Sequence, residues 1–307
     1  MALDDDAMAE RPQTGEAAAR EAGRWRRRGF KADTSDLSLH SPIRATLLLI
    51  PYLIATLILI PLQAISVALG SRMAERIPVV YHRCVCWLFG LEIVLRGTPE
   101  KTRPTLFVAN HSSYIDIEVF SALIPVSFIA KSEVASWPFF GTLARLQRTV
   151  FVDRQPRSTA DQRDAISRRL AVGDNLMLFP EGTSSDGTRV LPFRSALFGV
   201  AQLRRDERPI AVQSVAIAYT RLDGIPLGRY WRPLFAWFGD LDLVPHLWQM
   251  VCLGETEAVV TFFPPVDIAQ LGDRKKRCEY CFRQVSRPVQ GENSGRYELL
   301  PPRKKAA

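Results

Sequence analysis

The stretch TLFVANHSSYIDIEVF, residues 105–120, sets the frame for the chain. Its first six residues form an apolar, β-favouring run. A histidine and three hydroxyl side chains follow, and then an apolar-periodic segment. The pattern predicts a strand, a tight turn and a helix. His111 stands directly after the strand, and Asp116 falls in the first turns of the helix, capped by Asn110, Ser112 or Ser113. α/β proteins place their sites at the carboxyl ends of strands. Taken alone, the His–x4–Asp spacing is short and common, and it fits a buried polar histidine beside a capping motif better than a proton-handling pair.

Outward from this stretch the same alternation continues. Strands are expected at 91–97, 105–110, 126–131, 149–154, 175–182, 210–220 and 258–266. Helices are expected at 113–124, 137–147, 157–172, 195–205, 241–253 and 273–287. The fold class is therefore α/β, a mixed sheet flanked by helices. A hydrophobic, membrane-associated helical segment precedes it. The expected organisation is a disordered basic region over 1–40, the helical segment over 41–90, the main domain over 91–295 and a loose basic tail over 296–307.

The helical segment rests on ATLLLIPYLIATLILIPLQAISVAL, Ala45 to Leu69, which contains no charged residue. At 1.5 Å per residue such a helix is long enough for a bilayer. Pro51 and Pro61 predict a bend or break. Arginines flank both sides, so the expectation is a re-entrant or interfacial hairpin with both ends on the cytoplasmic face, with a single span as the alternative. Ahead of it, RWRRRGFK (residues 24–31) interleaves cations with Trp25 and Phe30, as suits an anionic lipid surface. The net charge of +8 fits anionic partners generally. The uncharged Ala45–Leu69 run favours membrane lipids and argues against a nucleic-acid binder. The five cysteines are too few and too scattered for a disulfide framework and read as buried thiols.

Two further stretches carry candidate chemistry. FPEGTSSDG, residues 179–187, closes another apolar strand, with Glu181 and Gly182 where the chain must turn. TVFVDR ends in Asp153–Arg154, and a guanidinium there fits a phosphate or carboxylate.

In this order and spacing the stretches resemble the glycerolipid acyltransferase family, which includes 1-acylglycerol-3-phosphate acyltransferases. NHSSYID is similar to the family's first block, NHxxxxD, which implies that His111 and Asp116 are the catalytic pair. TVFVDR resembles the second block and FPEGTSS the third, which lends Arg154, Glu181, Gly182 and Thr183 acceptor-binding roles. VQSVAI, residues 212–217, takes the place of the fourth block but lacks its usual proline. Ser184 stands where the third block usually has arginine. That departure, with AYTRLDGIPLGR and PHLWQM downstream, looks more like the bacterial branch that acylates lyso-ornithine lipid.

The resemblance implies transfer of a fatty acyl group from acyl-carrier protein or acyl-coenzyme A to a lysolipid hydroxyl, without metal or cofactor. The oxyanion donors would be backbone amides near Gly182, or Lys131. The implied setting is a bacterial inner membrane, with the catalytic domain on the cytoplasmic face. Two alternatives remain open: a 1-acyl-sn-glycerol-3-phosphate acyltransferase, and a lipid-binding protein without turnover.

Overall fold

A computed structural model describes residues 41–102, 104–152, 159–202, 204–205, 208–267, 271–296 and 303–305. The RWRRRGFK stretch and Asp153–Arg154 lie outside these.

Helix α1 (Pro42–Ala68) starts where Ser41 accepts the Arg44 N–H at 3.2 Å and Pro42 occupies the first turn. It continues through Pro51 and Pro61. The expected break comes later, at Gly70, whose φ of +59° suits glycine. Helix α2 (Met73–Phe89) follows and ends on Gly90 in the left-handed region. The pair is a helical hairpin turned inside out. Tyr52, Thr56, Gln63 and Ser66 form its buried stripe, while Leu47, Leu57, Ile58 and Ile65 are 58–66% exposed. A water-facing helix shows the opposite arrangement. Here polar side chains tie the helices together: Thr56 Oγ1 lies 2.8 Å from Tyr81 Oη, and Gln63 Nε2 donates to Ala74 O at 3.0 Å. The outer face is an apolar surface of the kind that meets lipid, on a helix long and apolar enough to cross a membrane.

The remaining elements alternate as the sequence predicts: β1 (Leu91–Arg96), β2 (Thr105–Ala109), α3 (Ile115–Leu123), β3 (Ser127–Lys131), α4 (Phe140–Leu146), β4 (Val150–Val152), α5 (Thr159–Ala171), β5 (Leu176–Leu178), β6 (Ala211–Leu222), α6 (Leu243–Cys252), β7 (Thr256–Phe262), α7 (Arg274–Ser294) and β8 (Arg303–Lys305). The expected helix at 195–205 is a 3-10 segment, Ser195–Gln202, with Gly199 at its middle, followed by a two-residue hairpin. Part of the tail expected to be loose, β8, pairs antiparallel with β1.

The sheet order is β8-β1-β7-β6-β2-β5-β3-β4. Strands β6, β2, β5, β3 and β4 run parallel, while β7 opposes β6. Every residue of β2 is buried, as a central strand covered on both faces requires. On one face Leu106, Leu176 and Val212 pack with Ile166 and Leu170 of α5 and with Cys278, Cys281 and Val285 of α7. Four of the five cysteines are buried, and Cys84 is exposed.

Two arginines tie the hairpin and the sheet edge. The Arg44 guanidinium donates to Val251 O at 2.8 Å, to Leu253 O and, at 3.4 Å, to Phe89 O. It therefore sits at the carboxyl ends of both α2 and α6, where helix dipoles favour a cation. Arg96 Nε donates to Glu292 Oε1 at 2.6 Å, with both side chains under 5% exposed, joining β1 to α7. Removing one member of a buried pair costs about 3–5 kcal/mol, whereas an apolar replacement of both is far milder. Chemical unfolding in detergent should show Arg96→Met strongly destabilised, and the Arg96→Met/Glu292→Leu double variant recovering most of the loss.

Candidate active site

The parallel pairing of β2 with β5, in which Val108 lies opposite Leu178, brings the turns after both strands side by side. Asn110 then acts as an extra rung of the sheet. Its amide donates to Ile217 O and accepts from Ile217 N, each at 2.9 Å, locking the end of β2 to β6. The expected cap of α3 is reversed. Tyr114 at the N-cap makes no side-chain cap bond. Asp116 reaches back from the first turn and accepts the Ser112 and Ser113 N–H groups at 2.7 and 3.0 Å.

The same Oδ2 accepts His111 Nδ1–H at 2.9 Å, and Oδ1 accepts the Tyr219 hydroxyl at 2.8 Å and the Ser112 hydroxyl at 3.3 Å. Asp116 is fully buried. With Nδ1 donating to a carboxylate, Nε2 of a neutral His111 is the acceptor. The imidazole stacks on Phe179, ring centroids 4.2 Å apart and 18° from parallel. Its side chain is 22% exposed, which leaves one edge open for a proton transfer.

The turn after β5 clamps the histidine backbone. Glu181 Oε1 accepts His111 N–H and Oε2 accepts Leu191 N–H, both at 2.7 Å, and Ser185 N–H donates to His111 O at 2.8 Å. Glu181 is thus buried and braces the histidine from behind. Burial, reinforced by the Asp116 charge, pushes its pKa up to about 8 against the opposing effect of its two backbone bonds. Gly182 has φ +69°, and a Cβ there would lie 3.1 Å from the Arg194 Nε. Its amide donates to Phe179 O at 3.1 Å. Arg194 is exposed and Thr183 lies on the surface of the same turn. Ser184 turns its hydroxyl to Trp237 O at 2.5 Å, and Trp237 N–H donates to Ser112 O at 2.8 Å. Lys131 ends β3, with β5 between it and β2. Arg154 lies outside the described residues.

Tyr219, Asn110 and Phe179 complete the site without appearing in its motifs as functional residues. Tyr219 shares its buried strand with the hydroxyls of Ser214 and Thr220, so no local signal singles it out.

Tyr114, immediately after this turn, also lines a cavity of about 210 Å³ between the helical hairpin and the sheet. Its other walls include Tyr52, Ile60, Ile77, Phe128 and Leu143.

A native pKa raised above the ordinary carboxylate value means that the folded chain holds the Glu181 proton more tightly than the unfolded chain does. That contribution to stability is fully present below the unfolded value and is lost as pH rises through about 8. Melting temperatures measured from pH 5 to 9 should fall with a component that is missing in Glu181→Gln.

A family model described as Acyltransferase matches residues 92–218. The chain is 45% identical to the Lyso-ornithine lipid O-acyltransferase of Brucella abortus over 83% of its own length and 97% of that protein. It is 36% identical to the 1-acyl-sn-glycerol-3-phosphate acyltransferase of Neisseria gonorrhoeae over 64% of this chain and 74% of the relative. The fold matches the crystal structure of the 1-acyl-sn-glycerophosphate acyltransferase PlsC from Thermotoga maritima. The TM-score is 0.59 at 21% identity, covering 81% of this chain and 95% of that one. With a relative this similar along nearly its whole length, and with the His111–Asp116 pair at the matched strand end, the protein belongs to the acyltransferase family.

Proposed function

We propose that this acyltransferase transfers a fatty acyl group from a thioester of acyl-carrier protein or coenzyme A to the hydroxyl of a lysolipid, with lyso-ornithine lipid as the preferred acceptor. One observation carries the chemistry: the buried Asp116 fixes the tautomer of His111 and leaves Nε2 as the free acceptor, on a turn whose next residue, Tyr114, lines a cavity suited to a hydrocarbon chain.

His111 Nε2 takes the proton of the acceptor hydroxyl as its oxygen attacks the thioester carbonyl carbon. The imidazolium formed is stabilised by Asp116, whose remaining donors keep the carboxylate from rotating away. Collapse of the tetrahedral intermediate breaks the C–S bond. The thiolate leaves and takes the proton back from His111. Neither Ser112 nor Ser113 serves as nucleophile, because the Ser112 hydroxyl is turned to Asp116, the Ser113 hydroxyl is buried with no base in hydrogen-bond reach, and neither serine lies in a nucleophile elbow. The apolar cavity under Tyr114 holds one acyl chain.

The acceptor preference is supported by the relatives' names and by Ser184. A phosphate monoester calls for several cationic donors. At this position a serine, engaged with Trp237, takes the place of a guanidinium. Arg194, packed across Gly182, supports the second reading, a 1-acyl-sn-glycerol-3-phosphate acyltransferase. The exposed apolar face of α1 supports membrane association, and the catalytic domain is assigned to the cytoplasmic face of a bacterial inner membrane. Arg287→Cys in a Cys84→Ser background should react with an impermeant maleimide only after spheroplasts are lysed.

Purified enzyme assayed with both acceptors should give a kcat/KM at least about tenfold higher for lyso-ornithine lipid. Faster turnover of lysophosphatidic acid would select the second reading. His111→Ala and Asp116→Asn should each lower kcat by about 10²–10⁴, with the double variant scarcely worse. Tyr219→Phe removes one donor from the carboxylate and should cost about tenfold in kcat at little change in KM.

A further inference from the structure

Gln63 is the anomaly of the membrane hairpin. It stands in the uncharged run of α1, is only 6% exposed, and lines the apolar cavity. Its Nε2 donates to Ala74 O at 3.0 Å and to Leu146 O at 2.9 Å. Two carbonyl acceptors fix the amide orientation, since a flipped amide would set oxygen against oxygen. Oε1 is therefore a buried acceptor, and it has no hydrogen-bond partner. Among the described residues it is the one such side-chain atom that belongs to the cavity wall. Several other polar groups there are engaged with one another. Tyr81 Oη meets Thr56 Oγ1, which donates to Tyr52 O at 2.7 Å. His82 lies between Glu118 and Gln147 at 2.5 and 3.2 Å. Buried polar atoms are as a rule hydrogen-bonded, so Oε1 faces a place for a donor.

The position of that place matters. Tyr52 and Tyr114 both line the cavity and a smaller adjoining recess, and Tyr114 follows the catalytic turn. Gln63 is eleven residues beyond Tyr52 on the same helix, about 16 Å along its axis. A chain running from the reacting carbonyl into the cavity would meet Oε1 well down its length.

We propose that the cavity selects an acyl chain bearing a hydroxyl group remote from its carboxyl end, and that Gln63 Oε1 accepts the hydrogen bond from that hydroxyl. The inference rests on the assignment of the cavity to an acyl chain and adds the chemistry that the chain carries. The chain belongs either to the thioester donor or to the lysolipid. A group that instead only tied α1 to α2 and α4 would treat plain and hydroxylated chains alike.

The test is a hydroxyl scan with the full-length enzyme in detergent micelles. In one arm the donor carries the hydroxyl at C2, C3, mid-chain or near the terminus, against the unsubstituted chain of equal length. In the other arm the lysolipid's chain carries the additional hydroxyl and the donor is plain. One remote position in one arm should raise kcat/KM by about tenfold over the plain chain, with C2 and C3 giving no gain in the donor arm. Gln63→Met should reduce that ratio to about one. The ratio compares two substrates on one preparation, so loss of folded protein cancels, and the wild-type scan stands without the variant. Equal kcat/KM for plain and hydroxylated chains in both arms, or a preference that survives in Gln63→Met, overturns the inference while leaving acyl transfer intact. Absence of turnover with every chain overturns the acyl-transfer reading and this inference together.

Discussion

A single carboxylate organises the centre of this protein. Asp116 has no contact with water, and its two oxygens gather donors from two successive backbone amides, a histidine, a serine and a tyrosine. An acceptor in that position needs them all, because each buried lone pair left bare is costly. The requirement fixes the turn after β2, the start of α3 and the lateral position of β6 at once. The histidine is then held by its ring from one side and by its backbone from the other, through Glu181 and Ser185. Geometry for proton transfer thus follows from satisfying one buried charge.

Much of this was legible from local pattern. All seven expected strands exist, since each is a short apolar run bounded by turn residues, and pattern of that kind survives burial. The His111–Asp116 pair was legible because a fixed spacing across a strand–helix turn is itself a local quantity. What escaped was non-local. Tyr219 comes from a strand more than one hundred residues downstream, in a stretch whose resemblance carries no catalytic role. Glu181 was legible as a residue of the turn, but whether a carboxylate faces a substrate or a backbone amide depends on how two loops meet. The direction of the cap on α3 was misread for the same kind of reason. A serine before a helix ordinarily accepts a first-turn N–H through its hydroxyl oxygen, whereas here the aspartate of the first turn reaches back and accepts the amides of the two serines ahead of the helix.

The prolines of α1 taught a similar lesson. Pro51 and Pro61 carry a local penalty, yet the helix passes through both, and the chain reverses at Gly70, where a positive φ is free of steric cost. The polar residues scattered through that apolar run become intelligible only once α2 is in place. Thr56 and Gln63 are buried because the hairpin's inside is its polar side.

Arg44 ties the third residue of α1 to carbonyls of residues 251 and 253, more than two hundred positions away. During synthesis α1 leaves the ribosome long before α6 exists. At about 5–20 residues per second, its guanidinium waits roughly 10–40 seconds for those acceptors. Through that interval the apolar face of α1 is already made. Early engagement of the nascent chain with lipid, ahead of completion of the sheet, gives that face a partner while the rest is still being translated. Assembly is then ordered from the outside in: the bilayer contact is available first, and the tie that sets the hairpin against the catalytic domain closes among the last.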